Sequence, residues 1–293
     1  MTPQQPTATS DKNRYRNALR AADWTIDQDW ESYSAEEHDR WDRLFDRQKS
    51  ILQGRACDGF LASMNTLRLS SSGIPHMGRL SDRLEAITGW RVVPVTDLVP
   101  DEVFFDHLAN KRFPAGAFIR PEAEFDYLQE PDVFHDVFGH VPLLADPIFS
   151  DFMQAYGLGG QRAMGLGQLH NLARLYWYTV EFGLIRQSHG LRIFGAGILS
   201  SPEESVFALE DASPHRVAFD LDRIMRTEYI IDDFQKTYFI IESFDALLDA
   251  CYADFGNVYE RVKTASSIQP DTIREDDRVE QRGTLAHFTK KSR

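Results

Sequence analysis

Cysteine is almost missing from this chain: among 293 residues only Cys57 and Cys251 occur. Two thiols so far apart in sequence form neither a disulfide framework nor a CxxC metal site. Both are expected to be reduced and buried or half buried. No apolar run approaches the roughly 20 residues that cross a bilayer, and the polar stretch 1–14 lacks the apolar core of a secretory signal. Membrane association is therefore not expected, and a cytoplasmic location follows by default. Positive charge is also scarce. Lys and Arg number 32 against 45 Asp and Glu, a net charge of -13, so most of the surface repels polyanions such as nucleic acid. There is no internal repeat, no low-complexity linker and no strand–helix alternation of the kind that builds a doubly wound sheet. A monomer acting on small molecules is the expectation that remains.

Apolar residues are plentiful, at 42%, with 20 Phe, 10 Tyr and 5 Trp. That is enough for a real core and excludes a disordered chain. The aromatic share would also suit a pocket for a flat ring, although core filling accounts for most of it. Residues 1–20 read as a flexible polar segment, 21–265 as one compact domain, mostly α with small β elements, and 266–293 as a polar, loosely attached tail. A helix over 30–52 is marked by Ser34 and Glu37 in capping-box spacing, and by Trp41, Leu44, Phe45 and Ile51 at helical intervals. Shorter helices are expected over 57–67, around Leu80, Leu84 and Ile87 with a stop at Gly89, and over 103–108. Residues 90–95, 117–120 and 191–194 read as extended. Helix should dominate 131–187, and one amphipathic helix should cover 244–259.

The chemistry concentrates in Pro131-Asp132-Val133-Phe134-His135-Asp136-Val137-Phe138-Gly139-His140-Val141-Pro142. Two histidines five apart diverge by about 140° on an ideal α-helix. Gly139 and Pro142 should stop the helix and let His140 swing back beside His135. A lone HxxxxH is more often structural than metal-binding. Here the flanking Phe134, Val137, Phe138 and Val141 make the surroundings apolar, where two unpaired imidazoles need a reason to exist. A third ligand is available in the helical segment 169–186, where Glu181 is the only acid between Leu175 and Leu184 and shares a face with Trp177 and Leu184. A buried carboxylate without a partner is costly, and a cation offsets that cost. Pairing with Arg174 or Arg186 is the plainer alternative. Two His and one carboxylate form the facial triad of non-haem Fe(II) oxygenases. Zinc with His₂Glu competes, but the HExxH helix usual in zinc hydrolases is missing.

Three segments in order, 130–143, Tyr176-Trp177 to Glu181-Phe182-Gly183-Leu184, and Gly195-Ala196-Gly197-Ile198-Leu199-Ser200-Ser201, resemble the pterin-dependent aromatic amino acid hydroxylases over roughly residues 70–260. The size and acidity look like the short bacterial members that act on phenylalanine. The resemblance implies the catalytic-domain fold of that family and a monooxygenase. It would use Fe(II), O2 and a tetrahydropterin (tetrahydrobiopterin or a bacterial analogue) to turn L-phenylalanine into L-tyrosine, leaving a 4a-hydroxypterin. It implies iron ligation by His135, His140 and Glu181, with Tyr176 close by. Arg120, held by Asp132, would bind the substrate carboxylate, which a guanidinium fork matches. Gly197 and Ser200 would line the amino acid end. Pro131, His135 and Trp177 would enclose the ring. Ile231 would form an apolar wall where tyrosine-hydroxylating members carry an Asp. Leu98, Val99, Asp101, Phe104 and Asp136 would meet the pterin. Asp136, Asp101 and Leu128 depart from the animal pattern, which leaves the fine pterin and substrate contacts open. Tyrosine or tryptophan hydroxylation, or a catalytically silent relative that binds iron or an amino acid, are the alternatives.

Overall fold

The computed structural model describes residues 14–15, 17–126, 130–252 and 255–291; Leu128 lies outside them. The first long helix is α1, Ala35–Ile51, and the capping box forms as the spacing required. Ser34 accepts from the Glu37 N–H, and the Glu37 carboxylate accepts from the Ser34 N–H. Trp41, Leu44 and Phe45 form its buried face. Next come α2, Asp58–Thr66, and α3, Met77–Thr88, which ends on Gly89 at φ 79. A left-handed C-terminal cap of this kind favours glycine.

Strand β1, Arg91–Val95, then leads to α4, Asp101–Ala109, and to β2, Arg112–Gly116, which pairs parallel with β1. The strand expected at 117–120 is thus set five residues earlier. Past β2 the Ala117 N–H still donates to Val95 O at the end of β1, whereas Phe118 O accepts from the Val133 N–H. Two π-helical turns follow, Phe134–His140 and Trp177–Glu181. Between them lie α5, Pro147–Gly165, and α6, Leu169–Tyr176.

Strand β3 is Leu184–Gln187 and β4 is Gly190–Ile193. After them come α7, Ala196–Leu199, and α8, Pro202–Glu210, then β5, His215–Ala218, and α9, Leu221–Arg226. Strand β6 is Thr237–Ile241, and the expected helix at 244–259 is two helices, α10, Phe244–Cys251, and α11, Phe255–Thr264. The chain ends with β7, Val279–Gln281, and α12, Ala286–Lys291. The larger sheet has the order β4-β3-β6-β5-β7.

Both ends of the described chain are docked more firmly than composition suggests. Tyr15 is buried, and its hydroxyl donates to Gln28 O. The segment after Ser266 is not loosely attached. Strand β7 pairs antiparallel with β5. Asp277 forms a buried ion pair with Arg223. The His287 ring stacks on Phe234 at 5.3 Å. Cys57 is buried and Cys251 half buried; both are free, and burial pushes both thiols up to about 12. Among the described residues no helix is long and apolar enough to cross a membrane.

Candidate metal centre

An α-helix cannot aim residues five apart at one point, and this chain does not use one. Phe134–His140 is wound as a π-helix, whose i→i+5 hydrogen bonding brings residues five apart back to nearly one face. The helix stop expected at Gly139 is therefore replaced by a widened turn. The turn is fixed from outside. A Cβ on Gly139 would lie 2.9 Å from Ala196 O, so only glycine lets α7 pack this closely. The same holds opposite: a Cβ on Gly195 would lie 2.4 Å from Glu181 O. Glu181 ends the second π-turn rather than sitting mid-helix, and Leu184 belongs to β3.

The result is one cluster. His140 Nε2 is 3.2 Å from His135 Nε2 and 3.2 Å from Glu181 Oε1, and His135 Nε2 is 3.7 Å from Glu181 Oε2. It is the one group of three or more His, Cys, Asp or Glu with metal-ligand spacing among the described residues. Its protonation suits a cation. Burial lowers the His135 imidazole to about 4, so it is neutral at pH 7. Burial also disfavours charge on His140 and Glu181, yet their mutual attraction outweighs it, raising His140 and lowering Glu181. A metal in the same place would replace the His140 proton. The Gly197 N–H also donates to the Glu181 carboxylate.

The orientation of His135 follows from its other nitrogen. The Ser200 hydroxyl donates to Ala196 O at 2.8 Å, and its oxygen lies 2.9 Å from His135 Nδ1. A hydroxyl that has given its one proton can only accept. His135 must then carry its proton on Nδ1, leaving the Nε2 lone pair facing Glu181. An outer group that fixes the tautomer in this way is a regular feature of metal-binding histidines.

Around the cluster lie the other residues expected from the sequence. Arg120 and Asp132 form a buried bidentate pair, Nε to Oδ2 at 2.9 Å and Nη2 to Oδ1 at 2.8 Å. Asp132 also accepts the Arg120 and His135 backbone N–H groups. The Arg120 charge outweighs burial and holds the Asp132 carboxyl below its usual range. Pro131 is half buried. Trp177 is stacked on Tyr229 at 4.4 Å, packs on Phe182 and donates its indole N–H to Gln235 Oε1 at 3.0 Å. Tyr176 lies against His140 at 6.2 Å and against Phe104 at 5.7 Å. Asp136 is buried, accepts the Gly116 N–H at 2.7 Å, and is pushed up to about 7 by burial.

Two expected residues stand apart. Ile231 is 62% exposed and Leu98 73% exposed, so neither is seated in the buried cluster. Val99 and Asp101 border an open cleft of about 550 Å³ that Met164 and Leu169 also line. Sequence reasoning missed Phe113, whose ring lies 5.0 Å from His140, and Gln235. Phe113 sits in β2, displaced from the expected strand. Gln235 had no spacing signal linking it to Trp177.

The model of the biopterin-dependent aromatic amino acid hydroxylase family matches residues 13–266. The chain is 60% identical over 267 residues to the phenylalanine-4-hydroxylase of Caulobacter vibrioides, covering 91% of each sequence. It is 52% identical over 259 residues to that of Chromobacterium violaceum, covering 88% of this chain and 87% of the other. The crystal structure of the Chromobacterium violaceum phenylalanine hydroxylase with bound oxidised Fe(III) is similar at a TM-score of 0.89 and 50% identity. That match covers 93% of this chain and all of the other.

Proposed function

This chain belongs to the biopterin-dependent aromatic amino acid hydroxylases, and from that premise we propose that it is a phenylalanine 4-hydroxylase. It is a pterin-dependent non-haem iron monooxygenase that converts L-phenylalanine to L-tyrosine. The observation that carries this reading is the cluster of two imidazoles and one carboxylate, His140 buried and His135 and Glu181 half buried, with an aromatic wall and a buried guanidinium beside it.

The donor set fits iron. Two neutral nitrogens and one carboxylate oxygen on one face leave the opposite face for exogenous ligands, and His135, His140 and Glu181 are the residues that would hold it. The pterin also has a fit. Phe104 offers a half-buried ring, and the 98–101 loop borders the open cleft. When bound, Fe(II) and the reduced pterin supply the electrons and the coordination site that activate dioxygen.

The protein's own contribution is positional. The Arg120 fork would take the substrate carboxylate, and Asp132 keeps that fork charged and aimed. Pro131, His135 and Trp177 would hold the substrate ring, while Gly197 and Ser200 line its amino acid end. Ser200 also keeps the His135 proton on Nδ1. Asp136, near neutral through burial and tied to Gly116, would face the pterin from the metal side, and Leu98, Val99, Asp101 and Phe104 from the other. Ile231 would leave nothing to favour the extra hydroxyl of tyrosine. An apolar wall rejects such a hydroxyl by only about 100-fold, so the preference for phenylalanine is clear but not absolute. Residues 21–265 would contain all of this machinery.

The test is tyrosine formation from phenylalanine with Fe(II) and a tetrahydropterin, omitting each component in turn. Turnover on phenylalanine, tyrosine and tryptophan is then compared at one pterin concentration. Turnover without iron or pterin would remove the mechanism. Faster turnover of tyrosine or tryptophan would remove only the substrate assignment.

A further inference from the structure

The π-turn that ends in Glu181 begins with Trp177, and the indole is not held by its own turn alone. Its N–H donates to Gln235 Oε1 at 3.0 Å. The same amide donates from Nε2 to Ile230 O at 3.0 Å. Gln235 is 1% exposed, and both ends of its side chain are committed. Its backbone N–H donates in turn to Glu204 Oε1 at 3.3 Å, an oxygen that also takes the Tyr238 hydroxyl at 2.7 Å. The residue before it, Phe234, is gripped by Phe207 at 4.8 Å and by His287 at 5.3 Å. Gln235 is therefore fixed at its backbone from two sides, while its side chain reaches back toward the metal centre.

What that side chain joins is informative. On one side is Trp177, four residues before Glu181. On the other is the loop carrying Tyr229, which stacks on Trp177 at 4.4 Å and 19°, and Ile231. One amide thus sets the tilt of the indole and the height of the loop over it. We propose that Gln235 is a positioning residue for substrate, holding the Trp177 ring and the 229–231 loop at the angle that aims the phenylalanine para carbon at the metal centre. This inference rests on the reading of Trp177 as a wall of the substrate site. Gln235 touches no reacting atom. Losing it leaves the half-buried indole N–H without its partner and lets the wall tilt, which misdirects substrate without disturbing iron.

The measurement is a double-mutant cycle on the iron-loaded full chain, with Gln235→Leu, Trp177→Phe and the pair. The readouts are KM for phenylalanine, tyrosine formed per tetrahydropterin oxidised, and iron content. Gln235→Leu should raise KM roughly tenfold, from the loss of the hydrogen bond that holds the indole, and lower the tyrosine-to-pterin ratio at least twofold, with iron unchanged. The double variant should be no worse than Trp177→Phe, because both changes remove one interaction. Gln235→Glu, which retains an oxygen for the indole N–H, should recover much of the ratio and keeps the question answerable should Gln235→Leu not fold. Additive losses in the double variant, or a fall in ratio matched by loss of iron, would overturn the proposal. If Trp177→Phe lowers the ratio and Gln235→Leu leaves it unchanged, the proposal alone fails. If Trp177→Phe changes nothing, the substrate-wall reading fails with it.

Discussion

His135 and Glu181 are each tied down by a second group, Ser200 Oγ for one and the Gly197 N–H for the other, and each sits on a π-turn packed against α7 through a glycine. Leu98, on the loop proposed to meet the pterin, is 73% exposed, and Val99 and Asp101 border open space. Phe104 is held mainly by edge-on rings, Phe105 and Tyr176 at 5.7 Å each. The metal side is thus preorganised, with its geometry fixed by the fold. The pterin side is an open surface that its ligand would complete. A cofactor that must enter and leave needs an open surface, whereas resident iron needs a closed one.

The contrast predicts a graded series. Glu181→Ala should have the largest effect, abolishing coupled hydroxylation and stoichiometric iron. The loss should exceed the roughly 10–100-fold typical of removing only a group that orients a ligand. Full iron and full activity in that variant would dissolve the metal centre as drawn.

Arg120→Ala comes next. It should weaken phenylalanine binding by about 2–5 kcal/mol and spare iron content. It also strands the buried Asp132 charge, so melting temperature should drop as well. Arg120→Lys should recover charge but not the fork, and KM should stay high. An unchanged KM in Arg120→Ala would remove the guanidinium from substrate recognition.

The wall behind Trp177 should show its burial as a pH dependence. Burial raises the Glu204 carboxyl from 4.5 to about 7. Between those values the folded state holds a proton that the unfolded state has released. Stability therefore falls as pH rises through this window and levels off above it. Glu204→Gln keeps an oxygen for Gln235 and Tyr238 but cannot ionise. Relative to wild type it should gain stability between pH 5 and pH 8, by at most about 3 kcal/mol. Denaturant melts at the two pH values provide the comparison, and an equal difference at both would show that Glu204 does not titrate as described.

Phe104→Ala should be mildest. Loss of one aromatic stacking partner, about 0.5–1.5 kcal/mol, should raise the pterin KM roughly three- to tenfold while iron and phenylalanine affinity hold. Loss of iron in this variant would mean that the two sides are not separately built.

The sequence alone determined what could be written locally. The capping box at Ser34 and the stop at Gly89 are signals within a few residues, and both formed where expected. The proposed ligand set His135, His140 and Glu181 followed from residue types in an apolar setting and from the three motifs, without knowledge of how the chain turns. Tertiary structure decided the rest. Hydrophobic periodicity carries no signature of an i→i+5 turn. That winding depends on α7 pressing on Gly139 from more than fifty residues further along the chain, and on Gly195, just before α7, lying against Glu181. The strand at 112–116 formed because β1 offers it a partner, and the polar C-terminal segment docked because β5 presents a free edge and Phe234 a ring face. Gln235 became visible only when its loop met the second π-turn, since a hydrogen bond between distant side chains leaves no period or spacing to detect.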